Sequence, residues 1–202
     1  MALGRLPRSF FERDSVQVAR ELLGCTLVRV VKGRRRSGTI VEAEAYRGPM
    51  DPASHAFRGR SKRNEVMFGE GGHAYVYFVY GFHNCVNVTT ERVGVPGAVL
   101  VRALEPKEGL GSMMKDRGVG LPEEVASGPG KLTRALAIDR RLNGEDLVTS
   151  GRLFLEFGPP PERIGRSARV GVSRGTELPW RFFAQGSRFV SKGRVVAVPK
   201  NP

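Results

Sequence analysis

A chain of 202 residues, 40% hydrophobic and 26% charged, has the composition of a soluble protein with one sizeable core. Its 33 Lys and Arg against 20 Asp and Glu leave a net charge of +13, which points to a polyanionic partner, nucleic acid foremost, or else to plain solubility. Cys25 and Cys85 are too few for a zinc or iron–sulfur centre and read as reduced, buried thiols. No stretch approaches a membrane span and residues 1–13 lack the apolar segment of an export signal, so an intracellular protein is expected.

In chain order, residues 14–23 read as a helix: Asp14 caps it, Val16, Ala19, Leu22 and Leu23 form a stripe, and Gly24 ends it. Strands are expected at 26–31 and 39–46, with 32–38 a hairpin loop carrying Lys32, Arg34, Arg35 and Arg36. That loop is either a solvated tip that blocks edge pairing or a contact to phosphate. Strands at 74–80, 85–89 and 98–104 follow, and the short glycine-containing turns between them favour antiparallel pairing. Residues 113–125, rich in charge, glycine and proline, read as a mobile loop, and 127–138 as a helix. Lys131 follows the glycine-rich entry of that helix and reads as a phosphate contact. Short strands are expected at 153–157, 169–172 and 181–183, and the polar tail 191–202 is expected to fray. Neither a repeat nor a linker divides the chain, so a single mixed α+β domain over residues 1–202 is expected.

Every tyrosine and histidine lies between Tyr46 and His83. Alternation along 39–46 puts Val41, Ala43 and Ala45 on one strand face and Ile40, Glu42, Glu44 and Tyr46 on the other. Glu42 and Glu44 would lie ~7 Å apart on that face. A half-buried carboxylate of this kind serves as a general base, or it is a structural partner for arginines across the sheet. Tyr75 and Tyr77 share a strand face, which suits either a core or a stacking surface for a planar ring. Tyr80, at a tight turn beside Gly81, Phe82 and His83, suits a wedge between base pairs. His55 is either a hydrogen-bonding group of the pocket or an incidental surface residue.

These residues resemble the alkyladenine-type 3-methyladenine DNA glycosylases. The resemblance spans nearly the whole chain: Phe10-Phe11, Glu42-Ala43-Glu44-Ala45-Tyr46, Arg63-Asn64, Met67-Phe68, Tyr75-Val76-Tyr77, Tyr80-Gly81 and Asn87. It continues through Leu100-Val101-Arg102-Ala103-Leu104-Glu105-Pro106, Ser127-Gly128-Pro129-Gly130-Lys131-Leu132, Arg169-Val170-Gly171-Val172 and Pro179-Trp180-Arg181-Phe182. It implies a curved, mainly antiparallel sheet with flanking helices and a hairpin wedge projecting into DNA. Glu44 would be the general base that activates a water, held with the help of Arg102 and the backbone carbonyl of Val170. Tyr46 on one side and His55 and Tyr77 on the other would stack the flipped base, and Asn87 would screen its edge. Tyr80, with Phe82 beside it, would fill the gap in the duplex. The implied activity is monofunctional, needs no cofactor or metal, and is carried out by a monomer on damaged double-stranded DNA. A non-catalytic stacking module and a metal-dependent nuclease using Glu42, Glu44 and Asp51 are the competing classes.

Overall fold

The computed structural model describes residues 4–79, 81 and 83–193. In chain order its elements are α1 (Arg8–Phe11), α2 (Ser15–Glu21), β1 (Thr26–Val31), β2 (Arg34–Tyr46), β3 (Ala74–Val79), β4 (His83–Thr90) and β5 (Gly97–Pro106). Then come α3 (Leu110–Arg117), α4 (Pro122–Val125), α5 (Pro129–Ala135), β6 (Leu153–Glu156), β7 (Ile164–Ser167) and β8 (Arg181–Ala184). The fold is mixed α+β, and its strands form one antiparallel sheet in the order β3-β4-β5-β2-β1-β6, with β8 added to β2 and β7 to β8. Beyond the last β1 pair at Thr39, β2 turns the same edge to β8 at Glu42–Glu44, so the sheet branches and curls.

Local chemistry explains the helix that opens the fold. Asp14 accepts hydrogen bonds from the amides of Val16 (2.9 Å) and Gln17 (3.2 Å), supplying partners for two donors that a helix start leaves open. Val18, Ala19 and Leu22 then face a core shared with Ala43, Ala45, Val99, Val101 and Leu132. Burying a side chain such as Leu22 contributes about 1.5–3 kcal/mol. Cys25 and Cys85 are free thiols, both buried, and burial pushes each up to about 11.

Three sequence expectations need correction. The 32–38 loop shrinks to Lys32 and Gly33, both at positive φ (49° and 74°), as a two-residue hairpin turn requires. Arg34, Arg35 and Arg36 are therefore strand residues. Arg35 is ion-paired with Glu108 (2.9 Å) and Glu156 (3.0 Å), and Arg36 with Asp116 (2.6 Å), so acids distant in sequence absorb much of the run's charge. Residues 113–125 lie largely in α3 and α4 rather than in a loop; Gly109 and Gly118, at φ 75° and 66°, cap α3 in the left-handed conformation that glycine tolerates. Residues 169–172 are irregular, and the strand lies at Ile164–Ser167.

The alternation along β2 is also broken. Pairing runs Ile40↔Leu104, Glu42↔Ala103, Ala43↔Val101, which skips Val41 on β2 and Arg102 on β5. These matched irregularities reverse the face of every residue beyond them. Ile40 therefore joins Ala43 and Ala45 in the main core, and Val41 packs with Ala103, Ala184 and Phe189 instead. Glu42 and Glu44 do share a face, but Ile40 is not on it.

Candidate functional site

Strand register assembles the site. Tyr75 of β3 pairs with Asn87 of β4, Asn87 with Leu100 of β5, Leu100 with Glu44 of β2, and Glu44 with Arg181 of β8. Directly opposed residues point the same way, so one row carries Tyr75, Asn87, Glu44 and Arg181 on the face away from the main core.

Glu44 is fully buried. Its Oε1 accepts the amide N–H of Val170 at 2.7 Å, and its Oε2 accepts the Tyr46 hydroxyl at 3.0 Å and Arg102 Nη1 at 3.3 Å. Burial pushes the Glu44 carboxyl up, and the pull of Arg102 and the Val170 amide offsets this only in part. Burial and the Glu44 charge together hold the Tyr46 phenol well above its ordinary range, so it remains a donor. Glu42, equally buried, is held differently. It accepts Arg102 Nε (2.8 Å), Arg181 Nε (2.7 Å) and the Ser191 hydroxyl (2.9 Å) on Oε1, and the Ser191 amide (2.7 Å) on Oε2. Burial would push Glu42 up as well, but Arg102 and Arg181 outweigh it and leave this carboxyl below the usual range.

Beside this pair opens a cavity of about 300 Å³, at the small end of the ~300–1,000 Å³ typical of ligand sites. Tyr46, His55, Tyr77 and Asn87 all line it, as do Arg63 and Tyr75. The His55 ring meets Tyr77 edge-on at 4.5 Å and its Nδ1 lies 2.8 Å from the Tyr75 hydroxyl. Arg63 approaches His55 Nε2 at 3.4 Å and, since a guanidinium only donates, Nε2 accepts and Nδ1 carries the proton toward Tyr75. Burial against its neighbours, then the Arg63 charge, pushes the imidazole down to about 4. The same guanidinium stands 5.2 Å from the Tyr77 ring centre. Asn87 spends its amide N–H on the carbonyl of Tyr75 at 3.0 Å, which fixes the wall.

Glu44, Arg102 and Val170 lie behind the cavity wall rather than on it, and Tyr46 joins the two layers, its ring on the cavity and its hydroxyl on Glu44. Val170 meets Glu44 through its amide N–H. Lys131, exposed near the start of α5, has its Nζ 3.4 Å from Ser127 Oγ. Tyr80 and Phe82, the expected wedge, lie outside the described residues. Among the described residues no three His, Cys, Asp or Glu side chains are grouped to hold a metal, and no helix is long and apolar enough to cross a membrane.

Sequence reasoning missed the support beneath Tyr46. Arg169, fully buried, donates to both oxygens of Asp51 (2.5 and 2.8 Å) and to the carbonyl of Ala45 (2.9 Å). Its guanidinium lies 4.7 Å from the Tyr46 ring centre and 5.3 Å from that of Trp180. No local pattern marks a pair separated by 118 residues. The irregular course of 169–172 has the same cause: the Asp51 pair anchors this segment and leaves the next amide, that of Val170, on Glu44.

The sequence profile described as methylpurine-DNA glycosylase matches residues 9–188. A protein of Carboxydothermus hydrogenoformans named "Putative 3-methyladenine DNA glycosylase" is 50% identical over 189 residues, covering 93% of this chain and 98% of its own. Proteins with the same name from Methanoculleus marisnigri (52% identical over 193 residues, 93% and 98%) and Chlorobaculum tepidum (46% over 199 residues, 97% and 95%) are similar along their length. With a profile match across most of its length and relatives near half identity, the chain belongs to the methylpurine-DNA glycosylase family.

Proposed function

We propose that this protein is a monofunctional DNA glycosylase that extrudes alkylated purines, 3-methyladenine among them, from duplex DNA and hydrolyses the N-glycosidic bond. The observation that carries the reading is geometric: a buried carboxylate, Glu44, lies directly behind an aromatic cavity and accepts a hydrogen bond from the phenol that forms part of its wall, and burial raises its proton affinity. Family membership supplies the reaction class.

The chemistry follows from the residues. A glycosidic bond inside a duplex is inaccessible, so the nucleotide leaves the stack at a cost of a few kcal/mol. Tyr46 would take one face of the base and Tyr77 with His55 the other. An N-alkylated purine is cationic, and an electron-rich ring attracts it by on the order of 1 kcal/mol. Such a base departs neutral with the electron pair of the C1′–N bond and needs no added proton. Water forms the new bond to C1′ and gives its proton to Glu44, whose charge also stabilises the oxocarbenium-like sugar. The water would enter on Oε2, where the contacts from Tyr46 and Arg102 (3.0 and 3.3 Å) are longer than the 2.7 Å Val170 bond to Oε1. Among the described residues no lysine lines the cavity, which suits water rather than an amine as nucleophile.

Glu44→Gln is the decisive variant. In single-turnover release from a duplex with one 3-methyladenine, it should lower the rate by about 10²–10⁴-fold while leaving binding nearly intact, because the amide keeps the shape but takes no proton. A variant that excises within tenfold of the parent would refute the proposal.

A further inference from the structure

We propose that Glu42 is a positioning residue: it shares Arg102 with Glu44 and clasps Ser191, and so keeps the guanidinium from closing a full ion pair with the reactive carboxylate. This rests on the reading of Glu44 as the base and adds a second carboxylate to it.

The geometry makes the case. One cation, Arg102, lies between two buried carboxylates, nearer to Glu42 through Nε (2.8 Å) than to Glu44 through Nη1 (3.3 Å), with Nη2 3.4 Å from Ser191 Oγ. A guanidinium free to meet one carboxylate takes it in a two-pronged fork, which stabilises the anion and makes it a poor base. Glu42 prevents this by holding the Nε edge. Glu42 in turn is oriented from outside the pair, by Arg181 on β8 and by the amide and hydroxyl of Ser191. The same chain segment braces the other side of Glu44: a Cβ on Gly193 would stand 2.4 Å from Val170 Cγ1, so the backbone at Gly193 lies against the residue whose amide holds Glu44. Other groups also face Glu44: Tyr46 from β2, Tyr77 from β3, Cys85 from β4 and Arg169 from the segment after β7. Among the described residues none of these hydrogen-bonds Arg102, whose guanidinium donates to Glu42, Glu44 and Ser191. The opposite directions in which the two carboxyls are displaced agree with this division of roles.

The test reads Glu44 directly, by ¹³C NMR titration of glutamate carboxyls in the full chain with Glu44 assigned by its loss in Glu44→Gln. Glu42→Gln removes the competing charge and should move the Glu44 midpoint to lower pH. Arg181→Met leaves Glu42 more dependent on Arg102 and should move it to higher pH. Ser191→Ala, a mild change that deletes one donor to Glu42, should move it the same way as Arg181→Met and decides the matter if the other two fail to fold. The acid limb of single-turnover excision should follow each shift, whereas a merely structural Glu42 would lower the rate at every pH and leave the midpoint in place. Midpoints of the folded variants all within about 0.3 unit of the parent, a twofold change in ionisation ratio, would overturn the proposal, as would shifts of one sign throughout. Unmoved midpoints beside an inactive Glu44→Gln would remove this inference alone. An active Glu44→Gln would remove the base assignment and leave the titration result standing.

Discussion

The pair of Asp51 and Arg169 offers the sharpest test of how the site is held. Both side chains are fully buried, and Asp51 also accepts the amides of Arg47 (3.3 Å) and Ala53 (3.0 Å). Asp51→Ala would leave the Arg169 guanidinium in the interior with, among the described residues, the carbonyls of Ala45 and Gly175 and the rings of Tyr46 and Trp180. Among the described residues Arg169 Nε already has no hydrogen-bond partner, so little compensation is at hand. Removing one member of a buried pair costs about 3–5 kcal/mol, since the remaining charge stays desolvated. For a chain of this size each kcal/mol lowers Tm by about 2–4 °C, which gives a drop of roughly 6–20 °C. Thermal unfolding followed by circular dichroism measures it. The cycle with Arg169→Met separates charge from packing: the double variant should be more stable than Asp51→Ala alone, because the orphaned cation is gone. A loss below about 1 kcal/mol, the range of exposed pairs, or a double variant that falls by the sum of the singles, would show that burial of charge is not what makes the pair matter.

Two other outcomes bear on the cavity. The His55 imidazole, pushed down to about 4 by burial and Arg63, should stay neutral through physiological pH. With its unfolded-state value near 6.5, the unfolded chain takes up this proton first, so His55 makes stability fall as pH drops from about 6.5 to 4 and contributes no pH dependence above that window. An NMR midpoint for His55 above 6 would contradict the lowered proton affinity. Tyr80→Ala, tested on the resemblance alone, should weaken binding to a lesion in paired duplex far more than excision from a lesion already unpaired, because a wedge acts on flipping. Equal losses on both substrates would make Tyr80 a packing residue.

Local rules made several parts of this protein legible from its residues. Asp14 ahead of an apolar stripe marks a helix start because an N-terminal turn needs acceptors, and Asp14 caps α2. Two-residue periodicity placed Glu42 and Glu44 together on one strand face, and both are there. It misplaced Ile40, because the irregularities opposite Val41 and Arg102 arise between two strands and leave no mark in either alone. The arginines at 34–36 suggested an exposed tip for a similar reason: Glu108, Asp116 and Glu156, which neutralise Arg35 and Arg36, come from elements that only folding brings near. Charge, glycine and proline across 113–125 suggested mobility, yet Gly109 and Gly118 act as helix caps once α3 has a core to pack on.

The site divides along the same line. Residue type and spacing, with the family resemblance, singled out Tyr46, His55, Tyr77 and Asn87, and one cavity holds all four. Which of two like carboxylates carries the higher proton affinity was beyond any local pattern. Burial pushes both Glu42 and Glu44 up, and Arg181 and Ser191, more than 130 residues along the chain, both hold Glu42 and help draw it down. A short sequence can name the charges, but proton affinity depends on desolvation and on the distance to every other charge, and those exist only in the folded chain.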